Sequence, residues 1–151
     1  MPQSRRRPAT DGIASASRTT SLAIANAVET AIPWTAGTAL GNGDAYWDSA
    51  NPTRLVARRK GLYSMMANVP VNAAASATDT RLYIRFIGGG AIATSFFTLI
   101  ASTTNGLHVS GFQKMSPGEY IETMLFVTPA TSLSGGFIIN PYMAMVRLGD
   151  A

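Results

Sequence analysis

The chain contains no cysteine and only one histidine, His108. The lack of cysteine excludes disulfide bonds and thiolate metal sites, and a single histidine leaves a histidine-based triad or metal cluster without most of its members. Strand alternation places His108 opposite Leu107 and Val109, so we expect an ordinary outward-facing side chain. From this inventory we predict no catalytic residue, no metal ligand and no cofactor.

Charged side chains are also scarce. They make up 13% of the chain, against about 25% in an average soluble domain, whereas apolar residues make up 46%. A weakly charged surface is adhesive unless part of it is covered, so this composition favours association with further copies or with a larger body.

Long hydrophobic runs are missing as well. The most apolar stretch, residues 91–101, contains Thr94, Ser95 and Thr98. It is too short to span a bilayer, so no membrane partner is expected.

The few charges are unevenly distributed. Residues 1–20 contain four arginines and one aspartate, a net charge of +3, whereas residues 21–151 carry only +1 of the total of +4. The first residues also contain two prolines and few apolar side chains that could be buried. We therefore predict an extended basic arm over residues 1–19, followed by a single domain over residues 20–151.

Apolar and polar residues alternate in short segments within this domain. In residues 61–71 every second side chain is apolar, beginning with Tyr63 and Met65, and residues 81–86 alternate arginine or tyrosine with large apolar residues. About eight such segments, separated by turns and without a strong helix between them, predict an all-β fold. The expected architecture is an antiparallel jelly-roll sandwich.

Four short motifs occur in order within this pattern. They are Trp47-Asp48, Gly61-Leu62-Tyr63, the segment Met115-Ser116-Pro117-Gly118-Glu119-Tyr120-Ile121-Glu122, and the closing segment from Tyr142 to Gly149. Together they resemble the motifs of jelly-roll domains of the tumour necrosis factor and complement globular-head superfamily, over the run from about Pro33 to Gly149. Glu119 stands where that superfamily more often has aspartate. The resemblance implies a trimer, and similar domains occur in phage capsid and fibre proteins.

A domain of this kind with a basic arm suits a capsid decoration protein. The leading hypothesis is a non-enzymatic virion protein on the outer capsid surface, a homotrimer that binds the major capsid protein or another virion protein. Two further hypotheses stay open. One is a fibre or spike head that binds host glycan or receptor, and the other is a coat protein that encloses nucleic acid.

Two strands carry apolar residues on both faces. In residues 119–127, Ile121 and Leu125 suit the core, but the opposite face is also too apolar for water, and the last strand repeats this pattern. A strand with two apolar faces is covered on both sides, here by a neighbouring subunit or by a loop of the same chain. The predicted trimer interface consists of Tyr120, Met124, Phe126, Met143 and Met145.

The basic arm is the predicted attachment site, through Arg5, Arg6, Arg7 and Arg18. Three adjacent arginines without interleaved aromatic residues bind nucleic acid weakly and with strong salt dependence. An acidic capsid surface is therefore the favoured partner, and nucleic acid is disfavoured.

A glycine-rich stretch holds the candidates for ligand binding. Trp34, Tyr46 and Trp47 are aromatic residues that could stack on a sugar ring if they are exposed. Asp44 and Asp48 lie in the same stretch, but their spacing lacks the pattern of a calcium loop, and such residues commonly cap turns. No metal site is predicted there.

Overall fold

The computed structural model describes residues 13–39, 43–73, 76–87, 90–129, 131–133 and 140–151. These residues form thirteen β-strands. They are β1 (Ala14–Ser17), β2 (Leu22–Ile24), β3 (Thr30–Ala31), β4 (Ala36–Ala39), β5 (Ala45–Trp47), β6 (Arg54–Ala57), β7 (Gly61–Asn72), β8 (Ala77–Phe86), β9 (Ala91–Leu99), β10 (Thr104–Met115), β11 (Tyr120–Thr128), β12 (Thr131–Leu133) and β13 (Tyr142–Gly149).

The strands form two antiparallel sheets that face each other. In sheet A, the long strand β7 pairs with β10 on one side and with β13 and β12 on the other; β1 and β4 continue beyond β13, and β2 continues beyond β12. In sheet B the order is β5-β6-β11-β8-β9, and β3 also pairs with β11. This arrangement confirms the predicted antiparallel jelly-roll sandwich.

Alternation along the central strands builds the core between the sheets. On β7, Tyr63 and Met65 begin a row of buried side chains that continues to Val71. On β8, Leu82 and Ile84 point inward. Each fully buried aliphatic side chain contributes about 1.5–3 kcal/mol relative to an exposed one, so these rows fix both the fold and the strand register.

Two of the sequence motifs form the starts of long strands, β11 and β7, and each has a structural role. The Ser116–Glu119 turn needs Gly118 because its φ is +87°, a conformation that residues with a Cβ rarely adopt. The Glu119 carboxylate accepts a hydrogen bond from the Ser116 amide at 2.6 Å and closes the turn. At the start of β7, a Cβ on Gly61 would lie 2.4 Å from Arg147 Nε and 2.5 Å from the Gly149 carbonyl oxygen.

Tyr63 links β7 to two other segments at this end of the sandwich through its hydroxyl group. Its buried hydroxyl lies 2.8 Å from the carbonyl oxygens of both Asp44 and Arg59. Burial raises the pKa of Tyr63, so the hydroxyl stays protonated and able to donate. Arg147 donates to the Lys60 carbonyl oxygen at 2.9 Å, which joins the end of β13 to the turn before β7.

The predicted boundary between arm and domain is too late in the chain. Ala14–Ser17 is a strand, β1, paired with both β13 and β4, and Ala14 and Ala16 belong to the core. Alternating alanine and serine has little hydrophobic signal, yet its small side chains fit an inner strand position. The basic residues at positions 5–7 lie outside the described residues.

Large apolar residues also alternate in the segment after residue 20, but this segment does not form one continuous strand. It divides into β2 and β3 around a turn in which Ala27 has a positive φ of 55°. The break leaves Val28 exposed, while Ile24 and Ile32 are buried as the alternation suggests.

Candidate functional site

Two of the predicted interface residues lie in the core of the single chain. Met143 and Met145 are each 1% exposed and belong to the main hydrophobic cluster. The Thr123 hydroxyl lies 3.3 Å from the Met143 sulfur across the sandwich. Their assignment to a subunit interface is wrong because both faces of β13 are apolar, and the alternation alone cannot tell which face points inward.

The other three predicted interface residues lie on the outer face of sheet B, where arginines of the same chain lie over the aromatic rings of two of them. The Arg54 guanidinium lies 4.0 Å from the centroid of the Tyr120 ring, and that of Arg81 lies 4.8 Å from the centroid of Phe126. Met124 is buried beside them. The five predicted residues therefore do not form one surface, and two of them have arginine partners in the same chain.

The outward side of β13 instead presents Tyr142, Ala144 and Val146. These residues and their neighbours on β7 surround a hollow of about 250 Å³. Its lining consists of Ile13, Ser64, Met65, Met66, Tyr142, Ala144, Met145 and Val146, none of which is charged. The main exposed hydrophobic groups at this hollow are Ile13 and Met66.

The apolar area continues onto β10, at the edge of sheet A. Phe112 is 65% exposed and pairs with Ser64 of β7, next to Val146 of β13 in the same row. His108 lies further along β10 and is exposed, as predicted. We refer to Ile13, Met66, Phe112, Tyr142, Ala144 and Val146 as the sheet A face.

The outer face of sheet B has a different character, because its charged groups are paired. Glu122 is 6% exposed and accepts hydrogen bonds from Thr53 at 2.6 Å and Arg85 at 2.6 Å. A longer contact of 3.4 Å joins it to Arg54. Burial raises the pKa of Glu122, but the hydrogen bonds from Thr53 and Arg85 outweigh it, and the pKa lies below its ordinary value.

Arg81 has a second carboxylate partner. Its Nε and a terminal nitrogen donate to the two oxygens of Asp79 at 2.9 and 2.8 Å, a bidentate arrangement. The same guanidinium lies between two aromatic rings, with Phe126 on one neighbouring strand and Phe96, at 6.0 Å, on the other.

A second hollow, of about 350 Å³, lies beside these groups on sheet B. Its lining consists of Glu29, Arg81, Tyr83, Arg85, Ala91, Thr94 and Phe96. Burial, together with a hydrogen bond to Glu29 and the charge of that carboxylate, raises the pKa of Tyr83 to about 12. The Tyr83 hydroxyl therefore remains a donor at neutral pH.

Of the three predicted ligand-facing aromatic residues, one is buried and two are half-buried with contacts in the same chain. Trp34 is 2% exposed and lies in the core, so its prediction is wrong. Trp47 packs against Gly37, where an added Cβ would lie 2.5 Å from the indole, and its Nε1 donates to the Pro52 carbonyl oxygen at 3.1 Å. Tyr46 is half-buried, and the Arg58 guanidinium lies 4.7 Å from the centroid of its ring.

Of the four arginines predicted to attach the protein to its partner, the structure describes only Arg18. Arg18 donates hydrogen bonds to the carbonyl oxygens of Pro33 at 2.6 Å and Ser21 at 3.1 Å, so it stabilises its own chain rather than presenting a free cation. Arg5, Arg6 and Arg7 lie outside the described residues. In the glycine-rich stretch, Asp44 is buried and forms an ion pair with Arg59 at 3.1 Å.

Neither the sheet A face nor the hollow on sheet B has a direct signal in the sequence. Phe112 and Phe96 each lie on the outward side of a strand with alternating residues. Their positions in that alternation are the signal that could have identified them as exposed. The pairing of Glu122 joins residues far apart in the sequence, which alternation does not reveal. Among the described residues, no group of three or more acidic or histidine side chains is placed to hold a metal ion. No helix with the length and hydropathy needed to cross a bilayer occurs in the described part of the chain.

Comparisons with known proteins support the fold. No family model matches this chain, and no curated protein matches it. Among solved structures, it is similar to the Eiger TNF from S. frugiperda, with a TM-score of 0.64 over 92% of this chain and 93% of that chain. The sequence identity is 8%, so this likeness establishes a TNF-like jelly-roll fold and nothing finer.

Proposed function

We propose that this chain is a non-enzymatic virion structural protein, a capsid decoration protein that acts as a homotrimer. The uncharged sheet A face supports this proposal most directly. Exposed apolar groups on neighbouring strands mark interaction surfaces in soluble proteins, and the core of such a surface is depleted in charge. A second copy of the same chain is the partner that the scarcity of charge throughout the sequence favours.

The copies meet face to edge in this proposal. Phe112 on the edge strand β10 of one copy enters the hollow beside Met66 and Val146 of the next. Contacts between two different patches are heterologous, and they close into a ring when the rotation between copies allows it. The threefold closure follows the resemblance of the sequence motifs to the tumour necrosis factor superfamily.

The segment that precedes β1 attaches the trimer to the capsid in this proposal. It contains Arg5, Arg6 and Arg7, which carry most of the net charge of the chain. An acidic area of the major capsid protein is the complementary surface, on the outside of the shell. Three arms in one trimer bind together, so the overall attachment exceeds the affinity of a single arm.

A charge placed on the sheet A face tests the association. Met66→Glu should shift the protein from trimer to monomer, because association would bury an unpaired carboxylate, at a cost of several kcal/mol. The control is Thr98→Glu, which adds the same charge to an exposed position on β9 of the other sheet. Sedimentation velocity at micromolar concentration measures both variants. A trimeric Met66→Glu, or dissociation by both variants, would contradict the assigned face.

Binding to undecorated capsid particles tests the attachment. The full chain should bind in low salt, and replacing Arg5, Arg6 and Arg7 together with alanine should weaken binding at least tenfold while leaving the trimer intact. Binding should also fall steeply as the salt concentration rises. Cosedimentation with the particles measures both effects. Unchanged binding of the triple variant would overturn the role of the arm.

A further inference from the structure

The hollow on the outer face of sheet B has no role in this assembly. It has a volume of about 350 Å³, at the lower end of the range for small-molecule sites. Its floor is formed by adjacent strands, because Arg81 pairs with Phe96 and Tyr83 pairs with Thr94 between β8 and β9. A rigid sheet thus holds these groups in fixed positions.

Phe96 provides an apolar platform in this hollow. It is 72% exposed, more than any other large hydrophobic side chain in the described part of the chain. The Arg81 guanidinium lies 6.0 Å from the centroid of its ring, so the ring is approached by a cation at one edge of the hollow and is otherwise open to solvent. An exposed aromatic ring on the outer face of a sheet suits stacking of a ligand that has an apolar face of its own.

The polar groups around the ring are held in place by their own partners. Arg85 donates to Glu122, which is also bound by Thr53, and Arg81 is fixed by Asp79. On the other side, Tyr83 is only 9% exposed and lines the hollow together with Glu29. Groups fixed in this way lose little conformational entropy when they bind a ligand.

The charges in this region balance. Three arginines face three carboxylates: Arg54, Arg81 and Arg85 against Glu29, Asp79 and Glu122. An anionic ligand would have to compete with carboxylates that already hold Arg81 and Arg85. A neutral ligand with several hydroxyl groups gains instead from both the remaining guanidinium donors and the Glu29 acceptor.

We propose that this hollow binds a neutral carbohydrate, with one sugar ring stacked on Phe96 and its hydroxyl groups bonded to Arg85, Glu29 and Thr94. A pyranose has the required combination of an apolar face, formed by its C–H groups, and hydroxyl groups around its rim. The hollow lies on the outer face of sheet B, opposite the sheet A face, and in this proposal it stays exposed when the copies associate. Carbohydrate binding is thus independent of the proposed trimer and adds an adhesive function to it.

The first experiment screens the full-length protein on an array of immobilised neutral oligosaccharides built from glucose, galactose, mannose and N-acetylglucosamine. The array also carries sulfated and carboxylated oligosaccharides. We expect binding to a subset of the neutral glycans. Binding to no glycan, or to the acidic ones alone with loss at high salt, would overturn the proposal, and the second result would indicate an anion site.

The second experiment locates the site by titration calorimetry with the soluble form of the strongest neutral binder. Phe96→Ala should raise the dissociation constant per site at least tenfold, in line with the loss of a stacking platform. Leu148→Ala is the matched control, because it removes an exposed large hydrophobic side chain from β13 of the opposite sheet and lies outside the sheet A face. Its dissociation constant per site should stay within twofold of the wild-type value.

Equal loss in both variants, or no loss in Phe96→Ala, would overturn the assigned site. Circular dichroism and thermal melting of both variants show that they are folded, which is expected because both side chains are largely exposed. The calorimetric constant refers to one site, so it does not depend on the number of copies. A negative calorimetric result would overturn the carbohydrate site but would not change the sedimentation result for Met66→Glu. The carbohydrate site and the trimer can therefore be refuted independently.

Discussion

Glu122 illustrates at the residue scale how this chain keeps a charge within an apolar strand. Its carboxylate is held by Thr53 and Arg85 and by the longer contact with Arg54. The sequence places Glu122 correctly on the face opposite Ile121, but it gives no indication of burial. The partners lie 69 and 37 residues away in sequence, and only strand pairing brings them together.

The depressed pKa of Glu122 predicts acid sensitivity. The unfolded chain has the ordinary value of 4.5 and the folded value lies below it, so this stabilisation is complete above pH 4.5 and is lost as pH falls through the folded value. Glu122→Gln should lower the free energy of unfolding by about 1–3 kcal/mol at neutral pH. The difference from wild type should shrink in acid.

Urea unfolding at pH 7 and at several pH values below 4.5 measures this difference. Asp150→Asn is the control, because Asp150 is fully exposed and its ion pair with Arg147 should contribute little. A Glu122→Gln deficit that is the same at every pH would refute the assigned ionisation.

Gly61 gives a steric prediction at the same scale. An added Cβ would lie 2.5 Å from a backbone oxygen of Gly149, which cannot move away as a flexible side chain can. Gly61→Ala should therefore destabilise the fold by about 1–3 kcal/mol, in the range of overpacked positions. Thermal melting and urea unfolding measure the change.

Gly106→Ala is the matched control, since no heavy atom lies within 4 Å of the position of its Cβ. It should have little effect or stabilise β10 slightly. If both alanine variants were equally stable, the close approach at Gly61 would not be the reason for glycine there.

At the scale of elements, alternation identified most strands but not always their orientation. It assigned the inward rows of β7 and β8 correctly because one side of each is distinctly apolar. On β13 both sides are apolar, so the choice between Met143 and Ala144 as inward residues had no basis in the pattern. On β1 the residues are so small that the strand resembled an irregular arm.

The position of β1 in the sheet predicts different effects for two truncations. Removal of residues 1–12 keeps β1 and should leave the free energy of unfolding within about 1 kcal/mol of the full chain. Removal of residues 1–19 also removes β1, with its backbone pairing to β13 and β4 and the buried Ala14 and Ala16. That loss should amount to about 3 kcal/mol or more, from several backbone hydrogen bonds at about 1 kcal/mol each.

Urea unfolding of the two truncated chains measures the difference. Equal stability would mean that β1 contributes nothing to the fold. The comparison also separates folding from attachment, because both truncations remove the basic residues at positions 5–7 and the longer one also removes β1.

At the scale of the whole molecule, the outer faces of the two sheets differ in how far their apolar side chains are covered by charged ones. Sheet B covers Tyr120 and Phe126 with arginines of the same chain, whereas the sheet A face leaves Met66 and Phe112 exposed without charge. The scarcity of charge in the sequence predicts a covered surface, and the sheet A face is the surface proposed for it. The composition could not identify the surface, because that depends on which side of each strand faces out.

The molecular mass of the full chain in solution tests the proposed assembly most directly. Sedimentation equilibrium at micromolar concentration should give three times the chain mass of 15.9 kDa if each copy buries its sheet A face against the next as proposed. A stable, soluble species with the mass of one chain, over the same concentration range, would contradict the proposed trimer.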